Sequence, residues 1–174
     1  SNDIGIWLMV SSNNTLTGNR ITDNDHAIRL FWSSNNFLCE NIIKASDVCG
    51  ILLYESSSNT LTRNNITDNY TGIKLKRCSN SIYHNNFVNN SVQVATFNSS
   101  NVWDDGYPSG GNYWSDYNGT DFHSGPYQNE TGSDGIGDIP YVIDESNRDN
   151  YPLMGSWHAS SIRYPWSMFR HNLK

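Results

Sequence analysis

No apolar run in this chain approaches the roughly 18 residues that cross a bilayer. It does not open on a signal peptide, and no segment carries the 3.6-residue apolar period of an amphipathic helix. Charge is scarce: 16% of the 174 residues are Asp, Glu, Lys or Arg, and the formal net charge is −6. An acidic balance argues against a nucleic-acid binder, which needs a basic face to displace counterions. What charge there is lies unevenly. Residues 1–102 hold seven acids and seven bases, residues 103–154 ten acids and one base, and residues 155–174 three bases and no acid. These are three regions of different character.

Asparagine and short aliphatic triplets fill the first region. Gly5-Ile6-Trp7-Leu8, Ala27-Ile28-Arg29-Leu30, Gly50-Ile51-Leu52-Leu53 and Gly72-Ile73-Lys74-Leu75 recur at spacings of 22, 23 and 22 residues. Two asparagine columns follow in register: Asn14, Asn36, Asn59, Asn80, and then Asn19, Asn41, Asn64, Asn85. The second column precedes Ile21, Ile43, Ile66 and Phe87. A period near 22 without helical pattern predicts a right-handed parallel β-helix, each repeat one coil of three short strands. Four coils, with a partial fifth at 99–103, would stand roughly 20 Å tall. Alternation turns Ile6 and Leu8 inward and Trp7 outward. The asparagines are expected to occupy left-handed turns and to bond the amide one coil away.

This repeat resembles the NosD-like, CASH-type β-helix families of secreted carbohydrate-active proteins and archaeal surface proteins. The resemblance covers about residues 3–102 and implies a fold rather than an activity. The second region strengthens it: Gly111-Asn112-Tyr113-Trp114-Ser115-Asp116-Tyr117, then Asp134-Gly135-Ile136-Gly137-Asp138 with Pro140-Tyr141, then Asp149-Asn150-Tyr151-Pro152-Leu153. Those stretches resemble a block that follows such repeats in archaeal surface proteins. The boundaries expected are 1–102 for the coils, 103–154 for an acidic, aromatic capping region and 155–174 for a basic, aromatic tail.

Hard cations take several oxygen ligands, with glycine to turn the chain between them. Asp116, Asp121, Asp134, Asp138 and Asp144 are therefore the candidate ligands of a calcium ion, although the EF-hand spacing fails. The aromatic residues of this region, Trp103 and Trp114 among them, are expected to close the last coil, with sugar stacking as the alternative. The five histidines have no close metal-ligand spacing, and copper is not expected. Cys39 with Cys49, or Cys49 with Cys78, could bridge, leaving one thiol over. Acids in the coils occur singly, and no pectate-lyase, polygalacturonase or epimerase pattern is present, so catalysis is not the expectation.

Six sequons, at Asn13, Asn65, Asn89, Asn98, Asn118 and Asn129, are candidate glycosylation sites; a seventh, Asn69, aligns with Asn24 and Asn90 as a ladder residue. An outward apolar stripe of Trp7, Met9, Phe31, Leu52 and Tyr54, with Trp157, Trp166 and Phe169 from the tail, is the candidate contact surface. Gly5 enters the repeat at once, so the chain is expected to be a fragment or a subunit whose open coil stacks on a neighbour. The function expected is an extracellular or cell-surface structural protein, self-assembling head to tail into a filament or sheath. The alternative is a carbohydrate-binding or sugar-active fragment of a larger surface protein.

Overall fold

The computed structural model describes residues 2–158, all of them in strands, turns and loops. Coil one contains β1 (Asn2–Met9), β2 (Thr15–Thr17) and β3 (Arg20–Thr22); coil two β4 (Asn24–Phe31), β5 (Phe37–Cys39) and β6 (Ile42–Lys44). Coil three contains β7 (Cys49–Tyr54), β8 (Thr60–Thr62) and β9 (Asn65–Thr67); coil four β10 (Thr71–Lys76), β11 (Ser81–Tyr83) and β12 (Asn86–Val88). A fifth turn opens with β13 (Val92–Phe97). Like strands stack into three parallel sheets, β1-β4-β7-β10-β13, β2-β5-β8-β11 and β3-β6-β9-β12-β14, the last strand being β14 (Tyr113–Trp114). This is a parallel β-helix of about four turns.

The register turns the sequence period into interior columns. Ile6, Ile28, Ile51 and Ile73 pair in succession, and so do Leu8, Leu30, Leu53 and Leu75. From the second coil onward these residues are wholly buried. Each leucine or isoleucine withdrawn in this way contributes about 1.5–3 kcal/mol of transfer free energy, which lets strands of three residues persist.

Both asparagine columns are ladders, half-buried in the first coil and buried from the second onward. In the first, Nδ2 of Asn14, Asn36 and Asn59 donates to Oδ1 of the next asparagine at 3.0 Å each. In the second, Asn19, Asn41 and Asn64 do the same at 2.9 Å. The backbone N–H of each asparagine donates to the same oxygen. An amide supplies both donor and acceptor, so identical residues satisfy one another indefinitely inside a low-dielectric column. The left-handed turns lie elsewhere. Positive φ falls on the residues just before the ladder, such as Asn13, Asn35 and Ser58, or Gly18, Glu40, Arg63 and His84. The expectation that ladder asparagines adopt that geometry is corrected: the preceding residue bends the chain, which frees the asparagine to point along the axis.

The remaining described residues fold over the last coil. Two small hairpins, β15 (His123–Ser124) with β16 (Glu130–Thr131) and β17 (Tyr141–Asp144) with β18 (Asn147–Asp149), hang on a loop scaffold. Trp103 and Trp114 are 1% exposed and join the same hydrophobic cluster as the coil aliphatics. Trp114 lies between Phe87 and Tyr141, stacked on each with ring centroids 4.3 Å apart.

Candidate functional site

The ladders are directional, and the acidic region ends them. Every rung donates toward the following coil, so the last rung carries unspent N–H groups. Asn101 passes the first ladder to Asn147, whose Nδ2 donates to Asp144 at 2.9 Å. Asn85 passes the second to Asn112, whose backbone N–H donates to Asp149 Oδ2 at 2.7 Å. The third column runs Asn69 to Asn90 to Gln93, whose Nε2 donates to Asp116 at 3.1 Å. All three chains of hydrogen bonds stop on a carboxylate. An ionised carboxylate only accepts, and its charge suits the positive end of a row of aligned amide dipoles.

The five candidate calcium ligands are engaged in this way or in tying loops. Asp121 accepts the backbone N–H of Asp134 and of Gly135, at 3.0 and 2.9 Å. Asp138 accepts from Phe122 N, His123 N and Thr120 Oγ1. Asp134 accepts from Ile136 N and Gln128 Nε2. Asp116 also receives the Tyr141 hydroxyl, and Asp144 receives Thr96, Ser146 N and Asn147. Among the described residues no group of three or more His, Cys, Asp or Glu is placed to hold a metal ion. Calcium finds no support in this arrangement, because the aspartates are separated and their lone pairs point at N–H and O–H donors.

Asp149, which the sequence placed in the resembling block but not among the candidate ligands, is the most constrained acid. It is fully buried, with Asn112 N, Trp114 Nε1 and Tyr151 N as donors. Burial pushes its carboxyl up to about 7, against the pull of those three donors.

The outward stripe forms on the first sheet as columns Trp7–Arg29–Leu52–Lys74 and Met9–Phe31–Tyr54–Lys76. Much of it is self-covered. Leu52 is only 8% exposed, flanked by the long side chains of Arg29 and Lys74 in its own column. Phe31 and Tyr54 stack on each other at 5.2 Å, and the Arg29 guanidinium lies 4.8 Å from the Phe31 ring centroid and 5.6 Å from that of Trp7. Trp7 and Met9 remain open, each about half exposed (52% and 53%). Trp157 stands apart from the stripe: it stacks on His84 at 3.8 Å, and its backbone N–H donates to Asn86 Oδ1. Trp166 and Phe169 lie outside the described residues.

All six sequon asparagines, Asn13, Asn65, Asn89, Asn98, Asn118 and Asn129, are exposed, whereas Asn69 is buried in the third ladder. Cys39, Cys49 and Cys78 are buried and free, so the anticipated bridges do not form. They face different parts of the coil: Cys49 Sγ donates to Ile51 O, and Cys78 points at Leu53 O. Burial pushes the Cys49 thiol up to about 12, which keeps it neutral.

A family model described as periplasmic copper-binding protein (NosD) matches residues 1–119. No curated protein and no solved structure matches the chain. Copper favours clustered imidazole, thiolate and thioether donors. Here the cysteines are neutral and separated, His84 stacks on Trp157 with its Nε2 against Ser109, His123 pairs with Asp138 at 3.4 Å, His158 meets Ser156, and no three such side chains cluster among the described residues. The described residues do not fit a copper centre. Nor is any helix among them long and apolar enough to cross a membrane.

Proposed function

We propose, from the premise that this chain belongs to the NosD family, that it is a structural solenoid of the periplasm or cell surface which associates with copies of itself through the outward face of its first sheet. The observation that carries this reading is the apolar stripe on that face. Trp7 and Met9 face outward there, each about half exposed, and Phe31 and Tyr54 continue the Met9 column. A contiguous exposed apolar patch marks a contact surface. Head-to-tail association in a filament or sheath is the fuller form of the reading, because heterologous contacts propagate when their rotation does not close.

The test is mass measurement by light scattering across a concentration series, with electron microscopy of the concentrated protein. Growth with concentration that Trp7→Lys abolishes is the expected result. Monodisperse monomer throughout would overturn the reading.

A second reading, glycan binding, draws on the outward columns. They contain Arg29, Lys74 and Lys76 without an ion pair among the described residues, and no acid. Binding to acidic polysaccharides on a glycan array, lost in Trp7→Ala, would favour it; silence across the array would remove it. Trp114 is too buried to stack on a sugar.

A further inference from the structure

The three sheets of the solenoid end differently at the cap. On the third sheet Leu153 bridges Tyr113 in parallel, and Ile136 bridges Leu153 in turn. The second, where Val102 bridges Ser81, is stopped by Asn147, whose Oδ1 accepts from Asn101 N at 3.0 Å. The first sheet stops at β13, which pairs with β10 alone among the described residues. Here the cap offers side chains and no backbone: Asp116 takes Gln93 Nε2, and Asp144 takes Thr96 Oγ1. Peptide groups along a strand point alternately to its two sides, so those of β13 that face away from β10 are left to water.

That edge is also unguarded. Residues Val92–Phe97 include no charge, proline or glycine, the features that blunt an edge against pairing. At its two ends Val92 and Phe97 are 41% and 55% exposed. An independent observation lies beside it. A groove of about 630 Å³ separates Thr96, Asn98 and Ser99 of the last coil from Asp144, Glu145 and Ser146 of the cap. The space next to the strand is therefore open at the Thr96 end. Glu145 is exposed there and has no ion-pair partner among the described residues.

We propose that β13 takes an extended segment of another polypeptide as a sixth strand of the first sheet, with a lysine or arginine of that segment in the groove beside Glu145. In strand addition the main-chain bonds supply affinity, and side chains at alternate positions supply selectivity. A basic side chain is a donor only and Glu145 an acceptor only, which sets the preferred charge at that end. A whole second solenoid is the poorer occupant, because the cap hangs beneath the same coil and stands where another coil would have to go. The edge is separate from the outward face of the sheet, so this site and self-association through that face fail independently.

The probe is a synthetic octapeptide of alternating threonine and valine with a terminal lysine, titrated into the full chain and followed by amide hydrogen exchange. The expected result is saturable binding of one peptide per chain, with slowed exchange at the β13 amides that face away from β10. A second peptide, N-methylated at alternate residues, keeps the side chains and loses the donors of one edge; it should bind about tenfold more weakly or worse. Glu145→Gln should weaken the parent peptide about threefold, the scale of one exposed ion pair, with an unchanged melting temperature. No saturable binding, equal affinity for the methylated peptide, or unchanged affinity in Glu145→Gln would overturn the proposal. So would edge amides already slow to exchange in the free chain, as a second copy or the chain's own residues on β13 would make them.

Discussion

Alanine at 27 and serine at 46 are two halves of one packing solution, and the double substitution Ala27→Gly with Ser46→Asn tests this. In coils one, three and four, a glycine at the start of the first strand borders a ladder asparagine: Gly5 with Asn24, Gly50 with Asn69, Gly72 with Asn90. A Cβ placed on those glycines would lie 3.3, 3.2 and 3.1 Å from the asparagine side chain. Coil two alone has Ala27, and with it the shorter Ser46. Ser46→Asn alone drives a carboxamide against the Ala27 methyl and should destabilise by about 1–3 kcal/mol, the usual cost of overpacking. Ala27→Gly alone loses a buried methyl and adds chain entropy, together about 1–2 kcal/mol. The double variant regains the missing rung, with Asn24 N and Nδ2 donating to the new Oδ1 and the new Nδ2 donating to Asn69 Oδ1. At about 0.5–1.5 kcal/mol for each new bond, those gains offset most of the summed losses. A double-mutant cycle by urea denaturation should return a coupling energy of about 2 kcal/mol or more. Additivity within about 0.5 kcal/mol would refute the reasoning.

Because Asp149 has a folded-state pKa near 7, above its ordinary value of 3.8, its contribution to stability is complete below about pH 4 and is lost as pH rises through 7. Melting temperature should therefore fall over that range, and the slope should flatten in Asp149→Asn. Trp114→Ala removes a ring held between Phe87 and Tyr141 and should cost about 3–5 kcal/mol, read by denaturation together with loss of the near-ultraviolet aromatic signal. Chelator should leave the melting temperature unchanged if Asp116 and Asp144 end ladders rather than hold calcium; a rise of several degrees on adding calcium would contradict that assignment. Cys39, Cys49 and Cys78 should resist alkylation in the folded protein and give the same gel mobility with and without reductant, whereas a mobility shift would mean a disulfide.

The coils were legible because stacking writes their geometry into the sequence. A residue whose neighbour is its own equivalent 22 positions away must repeat at that period, and Asn36, Asn59 and Asn80 do. The cap was not legible in the same way. Asp149 meets Asn112 across 37 residues and Asn147 meets Asn101 across 46, contacts made once and therefore without period. Density of aspartate between 116 and 144 suggested a cation because ligand loops and loops that bind their own N–H groups share a composition; only geometry separates them. The glycan-stacking alternative for Trp114 fell to burial. Ser46 could have been found: it breaks the column of Asn24, Asn69 and Asn90, and Ala27 breaks the matching glycine column in the same coil.

The one-way ladders make the cap a portable stop. Whatever the number of coils, the last rung presents the same unspent N–H groups, and Asp144, Asp149 and Asp116 receive them. A solenoid of this kind can gain or lose whole 22-residue turns ahead of residue 90 without altering what its terminus must supply. A coil inserted with its amides reversed would leave oxygen facing oxygen. Growth in length is thus permitted, and the sense of direction is kept at every length.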